Sequence, residues 1–221
     1  FEIPYYRPEI PTAPGEIYSM VLSPDGNTLY VGGLIGLIGG QTRSNLAAIN
    51  LTDGTVTSFG PIVDSWIQDM ALSSDGQILY IGGWFDNVSG QPRARLAAIN
   101  TQTGEVLENF HPIIDNNDVY SLALAADDAT LYFGGDFASV NGQSRIGFAA
   151  VNTADGTLTS FTADVGEAQY ITTIAISPDG SKLYASGSFD SIAGVKKSCC
   201  LASFDLPDGK LNSFGLLSIE S

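Results

Sequence analysis

Hydrophobic residues along the chain come in short runs, each closed by glycine, aspartate, asparagine or serine. Residues 67–110 show the pattern in one stretch. Ile67-Gln-Asp-Met-Ala-Leu72 is apolar-rich and leads into a Ser-Ser-Asp-Gly turn at 73–76, and Ile78-Leu-Tyr-Ile81 then runs into Gly82-Gly83. Beyond a polar loop come Leu96-Ala-Ala-Ile99, a turn from Asn100 to Gly104, and a last run from Val106 to Phe110. Short β-rich runs separated by Gly, Asp and Asn turns predict an antiparallel meander of four strands. No stretch sustains an apolar period of about 3.6 residues, so almost no helix is expected.

This unit recurs. A Leu-Tyr pair followed by small residues stands at Leu29-Tyr30, Leu79-Tyr80, Leu131-Tyr132 and Leu183-Tyr184, at spacings of 50, 52 and 52 residues. Self-similarity at that period predicts stacked supersecondary units, here the blades of a β-propeller. The expected fold class is all-β: four four-stranded blades of about 51 residues, plus one N-terminal strand from a preceding blade. The blades fall at 17–66, 67–118, 119–170 and 171–221, after an outer strand and lead-in at 1–16. The extra strand is Phe1-Glu-Ile-Pro-Tyr-Tyr6, placed by analogy with the final strands ending in Phe59, Phe110, Phe161 and Phe214. Pro4 is compatible with an edge strand, where a missing N–H costs nothing. A ring closed by strand exchange would lack that strand at its C-terminus. The expectation is therefore a segment of a longer propeller, or a protomer completing its ring with another chain, ahead of a closed four-bladed ring.

The first strand of each unit predicts how blades pack. One face offers Met20, Met70, Leu122 and Ile174; the other offers Val21, Ala71, Ala123 and Ala175. Bulky side chains from one sheet can seat against small ones on the next. Each buried Leu or Met contributes about 1.5–3 kcal/mol. Asp69 replaces Ser19, Ser121 and Thr173 in this strand, where a carboxylate needs water or a partner, which suggests a solvated central channel. Asp25-Gly26, Asp75-Gly76 and Asp179-Gly180 supply tight hairpin turns, with Asp127-Asp128 in the third unit. Asn50, Asn100, Asn152 and Asp205 stand four residues before a glycine and are expected to bond local backbone.

Charge narrows the choice of partner. The chain has 9 basic and 24 acidic residues, a formal net of −15. That surface repels phosphate backbones and anionic lipid, so neither nucleic acid nor a lipid surface is an expected partner. The longest uncharged stretch, Asn27 to Thr42, is too short and irregular for membrane insertion. No carboxylates have EF-hand spacing, and no metal or cofactor is expected. His111 is the only histidine and stands beside Pro112 with no nucleophile motif, so no catalytic residue is assigned. Cys199 and Cys200 are adjacent, and neighbours on a strand point to opposite faces, which favours two thiols over a vicinal or interchain disulfide.

Three groups of residues are candidates for recognition or assembly. The loops expected on one face collect Trp66 and Trp84 with Asp64, Asp86, Asp115, Asp118, Asp136, Asp164, Glu167 and Asp190. Aromatic rings beside carboxylates suit a polysaccharide ligand or a basic protein, with Trp as anchor; they also suit a plain capped core and a soluble surface. Ligand binding is assigned to Trp66, Trp84, Asp86, Asp115, Asp136 and Asp190. Arg43, Arg93 and Arg145 recur three residues before Leu46, Leu96 and Phe148, and are expected to form a structural ion-pair ring with Asp86, Asp136 and Asp190. Leu34, Ile35, Leu37 and Ile38 form an uncharged loop expected at an interface with another domain or subunit, self-association included.

The stretches "VYSLALAADDATLYFGGDFASVNGQSR" and "FAAVNTADGTLTSF" resemble the delta-60-type repeats of secreted bacterial β-propeller proteins, and the likeness runs from about Phe1 to Phe214. The resemblance implies a noncatalytic propeller in a large extracellular or surface-attached protein, and names no ligand. Two loops depart from it: Leu34-Ile-Gly-Leu-Ile38 loses the acidic residue, and Val195-Lys-Lys-Ser-Cys-Cys200 loses Gln and Arg. Kelch repeats are a weaker match because their downstream Tyr and Trp are missing. WD40 blades fit less well still, lacking Gly-His and Trp-Asp. The expected function is a noncatalytic extracellular module that binds protein or glycan through its acidic, aromatic face. A structural segment of a surface assembly is the alternative, and a propeller hydrolase or lyase is the remaining one.

Overall fold

The computed structural model describes residues 15–115, 117–166, 169–196, 200–206 and 208–212. The expected extra strand at Phe1–Tyr6, Phe214, Glu167 and Cys199 lie outside the described residues.

Each repeat forms one main antiparallel sheet with its strands in chain order, and between the second and third strands a separate short hairpin, as in Leu37–Ile38 paired with Gln41–Thr42. The inner strands are Glu16–Leu22, Ile67–Leu72, Val119–Leu124 and Tyr170–Ile176. The second strands are Thr28–Leu34, Ile78–Gly83, Thr130–Gly135 and Lys182–Ser188. The third are Leu46–Asn50, Leu96–Asn100, Phe148–Asn152 and Leu201–Asp205. No helix occurs among the described residues.

Turn chemistry sets the hairpins. Gly26, Gly76 and Gly180 have φ of 72°, 73° and 70°, and Asp128 takes the same left-handed conformation at 57°. In the second repeat the Ser73 hydroxyl donates to Asp75 Oδ1 at 2.7 Å, and that oxygen accepts the Gln77 amide at 2.9 Å. The unusual Asp128 also joins repeats, accepting the Ser74 amide and hydroxyl at 2.8 and 2.5 Å.

The fourth strands are shorter than the sequence predicts. Val56, Val106 and Leu158 each make a single bridge to the third strand, and among the described residues only Lys210–Leu211 forms a paired fourth strand. The chain leaves the ladder to seat Phe59, Phe110 and Phe161 edge-on against Tyr30, Tyr80 and Tyr132, each with ring centres 5.3 Å apart. Aromatic packing wins over further hydrogen-bonded pairing.

Sheets stack through their inner strands, and two adjacent glycines divide the work. A Cβ on the first glycine would strike the next sheet: at Gly32 it meets Ile67 and Met70 at 2.9 Å, at Gly82 it meets Val119 at 2.7 Å, and at Gly134 it meets Ile171. The second glycine, at 33, 83, 135 and 187, lies against the carbonyl oxygens of Glu16, Trp66, Asp118 and Tyr170 in its own sheet. Met70, Leu122 and Ile174 are buried between sheets. Met20, at the same position in the first sheet, is 62% exposed.

Asp69 is bonded rather than left to a channel. Its carboxylate accepts the Ser19 hydroxyl at 3.0 Å, the Met70 and Leu122 amides at 2.8 Å and the Ser121 hydroxyl at 3.2 Å. Ser121 in turn accepts the Ile174 amide at 3.2 Å. These amides lie on the inner strands, each of which is an edge of its own sheet and carries a bulge just before the Ser19, Asp69, Ser121 and Thr173 positions.

The apolar loop divides. Ile35 is buried with Val31 and Ala47 in its own repeat, with Ile38 packed beside it, so neither is free for an interface. Leu37 alone stands out, 65% exposed. Cys200 is half of a disulfide, against the expectation of two thiols.

Candidate functional site

The close approach of the second glycine to the inner strand fixes one pair of positions per repeat, side by side at the same end of every sheet. In the first and fourth repeats these are Glu16 with Leu34 and Tyr170 with Ser188. In the second the Trp84 amide donates to the Trp66 carbonyl at 3.1 Å, and in the third the Asp136 amide donates to that of Asp118 at 3.2 Å. Backbone geometry is shared; side-chain chemistry is not. Asp136 therefore occupies the place of Trp84, two residues before the position of Asp86 and Asp190, and the three do not form one column.

In the second repeat Trp66 and Trp84 stack with ring centres 6.0 Å apart and planes 19° from parallel. The Arg95 guanidinium carbon lies 4.6 Å from the centre of the Trp84 ring, a cation–π contact. Arg95 Nη1 also donates to Asp86 Oδ1 and the Phe85 carbonyl, at 2.7 and 2.9 Å. Arg95 has φ of 68°, rare for a residue with a Cβ, where the first repeat has Asn45 and the third Gly147, both at 69°. Sequence reasoning passed over Arg95. Its signal was a long cationic residue two positions after Arg93 where the other repeats carry Asn45, Gly147 and Cys200.

The third repeat sets two carboxylates together. Asp136 Oδ1 accepts the Asp118 amide at 2.7 Å and its Oδ2 accepts the Tyr120 hydroxyl at 3.1 Å. Asp118 is buried, and its Oδ1 has no hydrogen-bond partner. Burial, reinforced by the Asp136 charge and opposed by Arg95, pushes the Asp118 carboxyl up to about 7. Arg95 is thus near enough to feel both repeats. Tyr120 continues the band towards the fourth repeat, edge-on to Tyr170 at 6.2 Å.

The remaining acids hold loops. Asp115 Oδ2 accepts the Ala138 and Ser139 amides at 2.8 and 2.6 Å, and Asp64 accepts the Asp86 amide at 3.0 Å. Asp164 accepts the Ile146 amide at 2.8 Å, and Asp190 accepts the Gln169 side chain at 2.6 Å. Of the six residues assigned to ligand, Trp66, Trp84, Asp86 and Asp136 belong to the band, while Asp115 and Asp190 brace loops.

The arginine ring does not form. Arg43 donates to the Thr42 and Thr57 carbonyls at 2.8 and 2.5 Å and to Gln41 Oε1 at 2.7 Å. Arg93 donates to the Pro92 and Leu107 carbonyls at 2.7 and 3.4 Å, and Arg145 to the Ser144 carbonyl at 2.7 Å. Arg43 and Arg93 thus tie their hairpins to the outer edge of the sheet through backbone carbonyls, while the Arg145 bond stays within its own hairpin. Among the described residues the ion pairs are Arg95–Asp86 and Lys182–Asp205. A separate groove of about 480 Å³ between the first two repeats is lined by Tyr30, Thr57, Phe59, Pro61 and Thr101, and by none of the band.

Two family models match parts of the chain. One is described as a domain of unknown function (DUF5122) beta-propeller and covers residues 73–103; the other, a WD domain, G-beta repeat, covers residues 154–194. The second match comes despite the missing Gly-His and Trp-Asp. No curated protein matches. Among solved structures, Kuenenia stuttgartiensis hydrazine synthase is similar at 17% identity and a TM-score of 0.59, over 96% of this chain and 51% of that one. The structure of U3-55K is similar at 15% identity and a TM-score of 0.59, over 92% of this chain and 53% of that one. The chain spans about half the length of either structure. Four antiparallel sheets joined through their inner strands, two propeller-type family matches and these neighbours lead to one architecture: the chain has the β-propeller fold.

Proposed function

We propose that the chain is a noncatalytic interaction module, displayed outside the cell, that binds a protein partner through the band from Trp66 to Tyr170. The observation that carries this reading is the stack of the half-buried Trp66 and Trp84, braced by the buried Arg95 and beside the buried Asp118, in a chain of net negative charge. Tryptophan is enriched among the residues that dominate protein interfaces, and rings held in a fixed stack are ready before the partner arrives. A basic partner answers the formal charge of −15. The propeller-type matches agree with a protein-binding role.

A glycan is the second reading. Aromatic rings favour it, but the Trp84 ring already touches both Trp66 and Arg95, which leaves little of its surface for a sugar. The test compares wild type with Trp66→Ala on an array of glycans and on candidate secreted proteins. Loss of protein binding by about 30-fold or more with a silent glycan array supports the reading. Binding that ignores Trp66→Ala counts against the band, and glycan hits that vanish with it transfer the site to the second reading.

A further inference from the structure

The two ends of the row of sheets are unlike. At three successive junctions an inner-strand pair from one sheet sits on small residues of the sheet before it. Ile67 and Met70 sit over Gly32, Val119 and Leu122 over Gly82, and Ile171 over Gly134. The receiving surface is completed by the third strand, where Ala48, Ala98 and Ala150 are buried in the cores formed at these junctions.

The first sheet keeps the inserting half of this junction. Ile17 and Met20 hold the positions of Ile67 and Met70, yet are 47% and 62% exposed, against 0% and 5% for their counterparts. Leu22 beside them is also exposed. Uncovered apolar side chains in a column that is buried everywhere else indicate an interrupted junction.

The fourth sheet does not keep the receiving half. Ser186 replaces the glycine and Ser203 replaces the alanine. Ser203 is buried, and its hydroxyl accepts the Asn212 side-chain amide at 2.8 Å. A serine Cβ at the glycine position would enter the space that Ile or Val fills at the other junctions. Serine at both positions makes this face bulkier and more polar than the three that receive a sheet.

We propose that the exposed Ile17–Met20–Leu22 face docks a further propeller sheet of this same repeat, one carrying glycine and alanine at the positions of Gly32 and Ala48, and that the fourth sheet is not its partner. This excludes both closure of the four sheets on themselves and head-to-tail pairing of two copies through that face.

The chain's two methionines, Met20 and Met70, provide the readout. Peroxide oxidation of the full chain, followed by peptide mass spectrometry, should modify Met20 about tenfold faster than Met70, because oxidation follows exposure. Residues 67–118 placed immediately before Ile17, in place of 1–16, supply a glycine-bearing sheet. That longer chain should slow Met20 to the rate of Met70 and melt higher. The same chain with G82S and A98S in the added repeat should do neither. Equal protection by the serine version overturns the proposal, as does a native chain that sediments as a dimer with Met20 already protected. If the longer chain does not fold, Met20→Asp decides: unchanged mass and Tm support an open face, and a halved mass overturns it.

Discussion

The second and third repeats place the same backbone under opposite chemistry. Gly83 and Gly135 lie against the inner strand in the same way, yet one brings together Trp66 and Trp84 and the other Asp118 and Asp136. The first pair is content: two rings stack and a guanidinium covers part of one. The second is held under tension, with one carboxylate satisfied and its neighbour buried beside it. The scaffold dictates where two side chains meet and leaves open what they are. Recognition therefore resides in the departures between repeats, not in what they share.

The most damaging change is one that removes the common backbone. Gly83→Ala or Gly135→Ala forces a Cβ into a carbonyl oxygen and should cost about 3 kcal/mol or more, lowering Tm by about 6–12 °C. Thermal melting checks it, and a loss at one repeat only would show that the two scaffolds are not equivalent.

Asp118 gives the next effect, with the opposite sign at neutral pH. Its carboxyl titrates near 7 in the folded chain, above an ordinary aspartate, so the folded state binds the extra proton between about 4 and about 7. Stability from this group is complete below about pH 4 and lost as pH rises through about 7. Asp118→Asn should remove that slope and stabilise the chain at pH 8 by on the order of 2–3 kcal/mol, measured by urea unfolding across pH. The exposed turn carboxylates run the other way. Serine hydroxyls and backbone amides hold Asp25, Asp75 and Asp179 below the usual range, Asp179 at about 2, so their contribution is lost on acidification. An identical pH slope in wild type and Asp118→Asn would erase the contrast between the two repeats.

Trp84→Ala sharpens the comparison from the other side. It removes one ring of a stacked pair and the surface under Arg95, and should cost about 1–2 kcal/mol with a change in Trp66 fluorescence. Smallest is Arg95→Gly. Relief of a left-handed backbone offsets part of the loss of a guanidinium that is only 5% exposed and bonded to the Phe85 carbonyl and to the exposed Asp86, so stability should fall by about 1 kcal/mol. A larger loss in a double-mutant cycle with Asp86→Asn would mean the pair acts as part of the core.

Much of the architecture could be read from spacing. Tandem Leu-Tyr-x-Gly-Gly steps, Asp-Gly turns and the bulky and slim columns anticipate the sheets, their hairpins and their stacking. The fourth strands were over-read because Val106 to Phe110 looks like a strand, while the ring of Phe110 is better used against Tyr80 than in a ladder. Repetition shows that Arg43, Arg93 and Arg145 share a position, not that they pair with carboxylates. Carbonyl oxygens at a hairpin edge leave no trace in a sequence. Arg95 stays hidden for the same reason, and Asp118 reads only as one acid of the loop face: each stands out once the closeness of two strands is known, and a single residue in one repeat has no period to announce it.

Asp69 carries a mechanical consequence. One side chain grips Ser19 of the unit before it and Ser121 and Leu122 of the unit after it. Withdrawing any of these three strands tears bonds in a neighbour, so partial peeling gains little freedom for the contacts it forfeits. The centre of the arc behaves as a single clasp, whose amide protons escape to solvent only when several units let go together.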